Sequence, residues 1–388
     1  MLAIRANRLF DGVNVVEGDR LTVLVDGGVV EAVTDGPPPS GADVIDLGAG
    51  TLLPGLIDAH VHLAFDATPD TVGALAVGDD ILLDRMRAAA AATLDAGVTT
   101  ARDLGDRGYL SLRVRAESAA DPRRGPRLLV SGPPVTSVGG HCWFLGGEVK
   151  GSDAVRAAVR ERAARGVDVV KVVVTGGRLT EGSHPHEVQF GAAELDAVTD
   201  EAARHGLPVT GHCHAADGIA AAVAAGFGGI EHCTFVTAES IFVDPLLLEA
   251  MVTAGTRVTL TLGTVGPAAA VDHGGDDPRR VAMHDALRRV ATSGVPVACA
   301  SDAGCGPGKP HGSLAYAVEA MTGLGLPAQR ALRAVTSGAA EVCGLGDRVG
   351  RIAPGYAADL LAVHGDPLTR PAALRRVAAV FRDGQRVR

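Results

Sequence analysis

Apolar and polar positions alternate in two different ways along the chain. Both ends carry short apolar runs with a period near two, broken by Gly, Pro and Asp, as in RLTVLVDGGVVEAV at residues 20–33. This pattern predicts β-strands joined by tight turns. Between residues 54 and 346, short apolar runs instead alternate with Ala-rich segments of helical spacing, such as DILLDRMRAAAAATLDAG. The middle of the chain therefore predicts repeated strand–helix units.

A repeated strand–helix pattern predicts a parallel sheet whose faces are covered by helices. The length of the repeated region suits a (β/α)8 TIM barrel. A doubly wound sheet is the alternative, but no G-x-G-x-x-G motif follows the first predicted strand. We therefore expect an α/β fold with a (β/α)8 barrel over residues 54–346. Residues 1–53 and 347–388 are expected to form a small β-sandwich domain composed of both chain ends.

Ionisable side chains stand where several predicted barrel strands end. They are His60 and His62 in PGLIDAHVH, Lys171 in VDVVKVVV, His212 and His214 in GHCHA, His232 in IEHCTF, and Asp302 in ASDAG. The carboxyl ends of all barrel strands meet at one mouth, which is where active sites of this fold lie. Residues i and i+2 of a strand face the same side, so His60 and His62 are expected to point into that mouth together.

The types of these side chains indicate a metal site. Imidazole nitrogens and a carboxylate oxygen, without thiolates, are donors typical of Zn²⁺, with Mn²⁺, Fe²⁺ or Ni²⁺ as alternatives. Burying so many unpaired polar groups without a metal would be costly. Lys171 is the unusual member, because a protonated amine is a poor ligand. Addition of CO₂ would turn it into an anionic carbamate able to bridge two ions; the alternative is a lysine paired with a carboxylate.

Composition narrows the partners and the compartment. The net charge is −9 and there is no basic run, so we expect neither nucleic acid nor an anionic membrane surface as a partner. No apolar run reaches the length of a membrane span, and the N-terminus alternates like a strand rather than a signal peptide. The six cysteines are single, without a CxxC pair, which favours free thiols in the cytoplasm.

Taken together, these segments resemble the amidohydrolase superfamily. The similarity lies in PGLIDAHVH on the first strand, Lys171 on the fourth, His212 on the fifth, His232 on the sixth and Asp302 on the eighth. VDVVKVVVTGG, GHCHAADGI, IEHCTF and the GGH at 139–141 are similar to the imidazolonepropionase-related group, which includes prolidase-like dipeptidases. The resemblance covers nearly the whole chain, including the β-rich ends.

The resemblance implies a centre of two divalent ions, with Zn²⁺ as the expected metal. The implied ligands are, for the more buried ion, His60, His62 and Asp302; for the outer ion, His212 and His232; and as bridges, carboxylated Lys171 and a hydroxide. That hydroxide would attack the scissile carbonyl, while Asp302 takes its proton and hands it to the leaving nitrogen.

Two further histidines are candidates for catalysis. His141, in the Gly-rich segment TSVGGHCWFLGG, corresponds to a histidine that contacts the substrate carboxylate or carbonyl in the dipeptidase-like relatives. Its alternative is a structural role beside Trp143. His214 is expected just beyond the end of its strand, where it contacts the substrate or supports the metal ligands; the alternative is a loop residue at the surface. No arginine stands in an obvious substrate-clamping position.

We therefore expect a metal-dependent hydrolase that cleaves an amide bond of a small molecule. Dipeptides or N-acyl amino acids come first, a cyclic amide such as a lactam, hydantoin or imidazolone second, and a lactone, carbamate or phosphotriester third. Imidazolonepropionase itself is disfavoured because such enzymes use one metal and lack the strand-four lysine. Deaminases place a Glu soon after the strand-five histidine, where this chain offers only Asp217.

Two questions stay open at this level. A non-enzymatic scaffold is the alternative from another class, but every expected ligand position is filled. Related barrels often form dimers or larger rings, and the sequence does not choose an oligomeric state.

Overall fold

The computed structural model describes residues 1–18, 20–266 and 277–388. In the described N-terminal part the strands are β1 (Leu2–Ala6), β2 (Arg8–Phe10), β3 (Val15–Val16), β4 (Leu21–Asp26), β5 (Val29–Asp35), β6 (Asp43–Asp46) and β7 (Thr51–Pro54). The C-terminal strands are β18 (Leu360–Val363), β19 (Val377–Arg382) and β20 (Gln385–Arg386). Both ends are thus strand-rich, as their period-two pattern predicts.

Strands and helices alternate through the middle of the chain. The strands are β8 (Leu56–Val61), β9 (Val98–Asp103), β10 (Arg127–Val130), β11 (Thr136–Ser137), β12 (Glu148–Val149), β13 (Val170–Val173), β14 (Val209–Ala215), β15 (Gly229–Val236), β16 (Arg257–Thr261) and β17 (Val297–Ala300). The helices are α1 (Thr71–Ala74), α2 (Asp79–Asp95), α3 (Leu110–Ala120), α4 (Ser152–Arg165), α5 (Ala192–Arg204), α6 (Ala216–Ala224), α7 (Pro245–Ala254), α8 (Pro278–Thr292), α9 (Leu314–Gly323), α10 (Ala328–Arg333) and α11 (Ser337–Val342).

Eight parallel strands, β8–β10 and β13–β17, form a closed barrel. They pair in the orders β10-β9-β8 and β13-β14-β15-β16-β17. The Asp168 N–H donates to the Val130 carbonyl at 2.9 Å, which joins β10 to the start of β13. The Asp302 N–H donates to the His60 carbonyl at 2.9 Å and closes β17 on β8. The predicted α/β fold with a TIM barrel is confirmed.

Both chain ends build a second, smaller β structure. Its two sheets have the orders β5-β4-β1-β6 and β20-β19-β18-β7-β2-β3, and β7 pairs antiparallel with β18. Apolar side chains from both sheets share one buried cluster, which includes Ile4, Val23, Leu52, Leu360 and Phe381. This is the expected sandwich from both ends, while its limits at residues 53/54 and 346/347 stay predictions.

Local sequence signals fix where the barrel helices begin and end. α7 begins with Pro245 after Asp244, whose side chain accepts the Leu246 N–H at 2.9 Å. α8 begins in the same way, with Pro278 after Asp277. Pro suits the first helical position and Asp satisfies a free N–H there. In the described ranges we find no helix with the length and apolarity that a bilayer crossing requires.

Candidate metal centre

The predicted polar side chains converge at the mouth of the barrel. Seven of them line one cavity of about 920 Å³: His62, His141, Lys171, His212, His214, His232 and Asp302. His60 lies just beneath them, with its Nε2 at 3.2 Å from Nε2 of His62. The structure therefore brings together every residue that the sequence placed at the strand ends.

One group of donors consists of His60, His62 and Asp302. Asp302 Oδ1 lies 3.5 Å from Nε2 of His60 and 3.7 Å from Nε2 of His62, and the two Nε2 atoms are 3.2 Å apart. Ligand atoms around a tetrahedral Zn²⁺, each bonded at about 2.0–2.1 Å, lie roughly 3.4 Å from one another. The spacing of these three donors therefore fits a divalent ion.

The neighbours of the two imidazoles fix which nitrogen carries the proton. His60 Nδ1 lies 2.8 Å from Glu231 Oε2, and His62 Nδ1 lies 3.0 Å from the Gly105 carbonyl oxygen. These oxygens only accept, so each Nδ1 is the donor and each Nε2 keeps a lone pair. Burial lowers the pKa of His60, and burial and His60 lower the pKa of His62 to about 3. Two neutral nitrogens thus face each other without a proton between them.

A second group of donors consists of His212, His214 and His232. Nδ1 of His212 lies 2.9 Å from Nε2 of His232, and His212 Nε2 donates to the Gly176 carbonyl at 3.2 Å. The ligand atoms of all three histidines lie within 4.8 Å of one another. Burial holds the pKa of His212 and His232 well below the usual value. These imidazoles are therefore neutral donors that could hold a second ion.

The expectation that His214 lies beyond its strand is wrong. β14 extends to Ala215, so His214 belongs to the strand, where it is half-buried. Its ring stacks on that of His232, with centroids 4.5 Å apart, and its Nδ1 lies 2.9 Å from Thr234 Oγ1. A shift in the pairing of β14 with β15 between Cys213 and Ala215 accompanies this extension of the strand. Short polar segments carry no signal of such an irregularity.

Lys171 is buried on β13, beside both groups of donors. Burial lowers the pKa of its amine, although Glu231 and Asp302 act in the opposite direction. Within residues 1–18, 20–266 and 277–388, its Nζ forms no hydrogen bond and no ion pair. The alternative of a lysine paired with a carboxylate therefore finds no partner in these ranges.

A lysine, Lys309, forms an ion pair with the second carboxylate oxygen of Asp302. Lys309 Nζ lies 3.2 Å from Asp302 Oδ2, while Oδ1 faces the imidazoles. Burial alone would raise the pKa of Asp302, but Lys309, His60 and His62 keep it well below its usual value. Asp302 has φ 56° and His232 has φ 69°, which is a left-handed backbone conformation that residues other than glycine rarely adopt. Such strain is typical of functional sites.

His141 lies at the wall of the cavity, next to the second group. Its ring centroid is 4.9 Å from that of His212, and its Nδ1 is 3.0 Å from Thr180 Oγ1. Burial lowers its pKa to about 4, so the ring is neutral. Trp143 is 46% exposed, which does not favour the alternative of a structural pair with that residue.

Comparison with known proteins gives the family. The profile described as "Amidohydrolase family" matches residues 51–387. The chain belongs to the amidohydrolase family. Members of this family use metal ions, and the two groups of donors described above could hold them.

Individual amidohydrolases resemble the chain over most of its length. It is 28% identical to ochratoxinase of Aspergillus niger in an alignment of 354 residues that covers 82% of this chain and 71% of that protein. It is 27% identical to imidazolonepropionase of Acidiphilium cryptum in an alignment of 380 residues that covers 90% of this chain and 88% of that protein. The crystal structure of a Xaa-Pro dipeptidase with bound methionine superimposes with a TM-score of 0.87, 29% identity and 99% of each chain covered. This amidohydrolase is a metal-dependent hydrolase of C–N bonds that acts on small molecules.

Two features of the amidohydrolase site were not predicted from the sequence. Glu231 lies next to His232 in the sequence, yet its carboxylate contacts His60 on β8. Its other oxygen accepts from Arg102 Nη2 at 2.8 Å, inside the barrel. Arg178, which lines the cavity, was also missed. Only barrel closure brings these residues to the site, so the linear sequence carries no signal for them.

Proposed function

We propose that this amidohydrolase cleaves an amide bond of a small peptide-like substrate, a dipeptide or an N-acyl amino acid, at two divalent metal ions. The observation that carries the proposal is the pair of short nitrogen–nitrogen distances, 3.2 Å for His60 and His62 and 2.9 Å for His212 and His232, within one cavity. Nε2 of His60 and Nε2 of His62 are both unprotonated, so their lone pairs face each other unsatisfied unless a cation binds between them. The 29% identity to a Xaa-Pro dipeptidase supports a peptide-like substrate.

The proposal assigns a ligand set to each ion, with Zn²⁺ as the expected metal. The ligands are His60, His62 and Asp302 for one ion, His212 and His232 for the other, and the carbamate of Lys171 as the bridge. When bound, the ions would lower the pKa of a shared water and polarise the scissile carbonyl. The carbamate forms when the neutral Lys171 amine adds to CO₂ and releases one proton, and the lowered pKa of that amine supports this step.

The chain's own groups then move protons and orient the substrate. Asp302 is ionised, so its carboxylate can accept the proton of the attacking water and pass it to the leaving nitrogen. His141 is placed to donate a hydrogen bond to the substrate oxygen that gains negative charge, and His214 to contact the substrate from β14. Glu231 and the Gly105 carbonyl keep the first two histidines in the tautomer that binds metal.

The proposal is tested with metal-reconstituted protein. We expect two equivalents of metal per chain and hydrolysis of dipeptides or N-acyl amino acids. Gentle mass spectrometry should show roughly 44 Da of added mass on Lys171, which is the mass of one CO₂. One equivalent of metal, or an unmodified lysine in the bicarbonate-treated protein, would contradict the two-metal centre. Turnover of none of the linear amides would contradict the substrate class.

A cyclic amide is the second candidate substrate. It is favoured by the 27% identity to imidazolonepropionase over 90% of this chain. The same attack on a carbonyl would open a lactam, hydantoin or imidazolone ring. Assays of ring substrates beside linear amides decide between the two classes.

We also propose a cytoplasmic location. All six cysteines are free, and four of them are buried, which suits a reducing compartment. Fractionation of the source cells with an antibody to the chain tests this part.

A further inference from the structure

The loop after β13 is anchored to the proposed metal centre. The Gly176 carbonyl accepts a hydrogen bond from His212 Nε2 at 3.2 Å, and the Gly176 N–H donates to the Glu187 carbonyl at 2.9 Å. The Gln189 N–H donates to the Val174 carbonyl at 2.8 Å. These contacts join the two ends of the loop at the cavity wall. The first residues of the loop therefore have a defined position beside the site.

Gly177 brings this loop directly onto His141. A Cβ atom at Gly177 would lie 2.3 Å from His141 Nε2, so the backbone runs against the ring. The next residue, Arg178, is exposed and lines the cavity together with the histidines. Arg178 and His214 thus line the same cavity.

Two of the cations that line this cavity are matched by carboxylates. Lys309 is paired with Asp302 at 3.2 Å, and Arg280 lies 3.6 Å from Asp277. Within the three described ranges, Arg178 and Arg279 form no ion pair and no side-chain hydrogen bond, and Arg178 is the one that directly follows Gly177, whose backbone lies against His141. The Arg178 guanidinium is therefore available to an anion that enters the cavity.

The remainder of the wall includes many apolar side chains. Leu104, Leu179, Val236, Leu262 and Met283 line the same cavity. A ligand that matches both the Arg178 guanidinium and the apolar wall carries one anionic group and one apolar group. The planar guanidinium of arginine matches a carboxylate with two parallel hydrogen bonds.

We infer that Arg178 binds the free carboxylate of the substrate, so that the enzyme selects amides of amino acids with an unblocked C-terminus. The inference rests on the proposed function and adds to it the residue that recognises the substrate carboxylate. It predicts that a substrate with a neutral carboxamide in place of the carboxylate is bound more weakly.

The test is equilibrium binding to the full-length, metal-loaded protein. The probes are N-methanesulfonyl derivatives of apolar amino acids, in which a sulfonamide replaces the scissile amide, each compared with its carboxamide. Arg178→Met is the variant, and Arg257→Met is the control, because Arg257 is an exposed arginine at the start of β16, the opposite end of the barrel. We expect the wild type to bind the acids about tenfold more tightly than the carboxamides, in the range of one charge-assisted hydrogen bond.

In Arg178→Met, affinity for the acids should fall about tenfold, to that of the carboxamides, which themselves bind as before. Arg178→Lys should restore part of the difference, since it keeps the charge but not the planar donor pair. Equal binding of acids and carboxamides by the wild type, no binding of any acid, or an unchanged preference in Arg178→Met would overturn the inference.

Binding and turnover separate this inference from the proposed function. If the protein binds acids through Arg178 but hydrolyses no linear amide, the proposed function fails and the carboxylate subsite stands. If it hydrolyses linear amides and binds acids and carboxamides equally, the subsite fails and the proposed function stands.

Discussion

The carboxylate of Glu231 on β15 lies 2.8 Å from Nδ1 of His60 on β8 and holds that imidazole in one tautomer. Arg102 Nη2 and Thr210 Oγ1 donate to its other oxygen at 2.8 and 2.6 Å. Burial would raise the pKa of Glu231, but Arg102 and His60 keep it well below the usual value. An anion is thus fixed behind a proposed metal ligand by residues from several barrel strands.

Glu231→Gln should weaken metal binding, because the amide cannot supply the negative charge that makes His60 Nε2 a stronger electron-pair donor to the metal. Loss of such a partner typically lowers metal affinity by about 10- to 100-fold. Competition with a chromophoric chelator measures the affinity. Glu201→Gln is the matched control, since Glu201 is a buried acid on α5 that pairs with arginines outside the barrel mouth. Equal metal affinity in both variants would contradict the role of Glu231.

Lys171→Ala should lower both metal content and activity, because it removes the bridging carbamate. Loss of one bridging anion should reduce kcat/KM by at least about 100-fold. Short carboxylic acids such as acetate or propionate should restore part of the activity by occupying the space of the carbamate. Metal analysis and rates with and without these acids provide the measurement. Lys150→Ala, at an exposed lysine, is the control, and full activity of Lys171→Ala would refute the bridge.

The fold and the main residues of the site could be predicted because they depend on local pattern. Strand–helix alternation gives the barrel, and the strand ends carry His60, Lys171, His212 and His232. The carboxyl ends of parallel strands meet wherever the barrel closes, so their convergence follows from the fold class.

Contacts between distant strands could not be predicted in the same way. Glu231 lies next to His232 in the sequence, yet its carboxylate reaches His60 across the barrel. Lys309 reaches Asp302 because the chain after β17 turns back on itself, with Asp302 in a left-handed conformation. These partners depend on barrel closure and on backbone geometry, for which a single sequence holds no periodic signal.

The metal-free protein should lose stability on acidification partly through His141. Its folded-state pKa is lowered to about 4 by burial, whereas the unfolded value is 6.5. The unfolded state therefore binds more protons between these values, and the contribution of neutral His141 is lost as the pH falls from about 6.5 towards 4. As the pH falls over this range, the free energy of unfolding of the wild type should decrease relative to that of His141→Gln. Urea titrations at several pH values measure this difference, and a difference independent of pH would contradict the prediction.

Gly177→Ala should impair the enzyme by displacing His141. The added Cβ would lie 2.3 Å from His141 Nε2, so the ring or the loop must move. A shift of about 1 Å in a group that contacts the reacting atoms can cost about 100-fold in rate. The control is Gly191→Ala, where the nearest atom to the new Cβ is the Glu194 carboxylate at 3.8 Å. Steady-state kinetics should show the loss in the first variant alone, while similar circular dichroism spectra exclude unfolding.

Lys309→Met should shift the acid limb of the pH–rate profile to higher pH. Lys309 is a principal cause of the low pKa of Asp302, together with His60 and His62, so its removal raises that pKa. Asp302 must be ionised to accept a proton from the attacking water, and activity at low pH is therefore lost earlier in the variant. Profiles of kcat/KM for wild type, Lys309→Met and Lys309→Arg provide the measurement. Lys309→Arg keeps the charge and should retain the wild-type limb, whereas identical limbs in all three proteins would show that Lys309 does not act through Asp302.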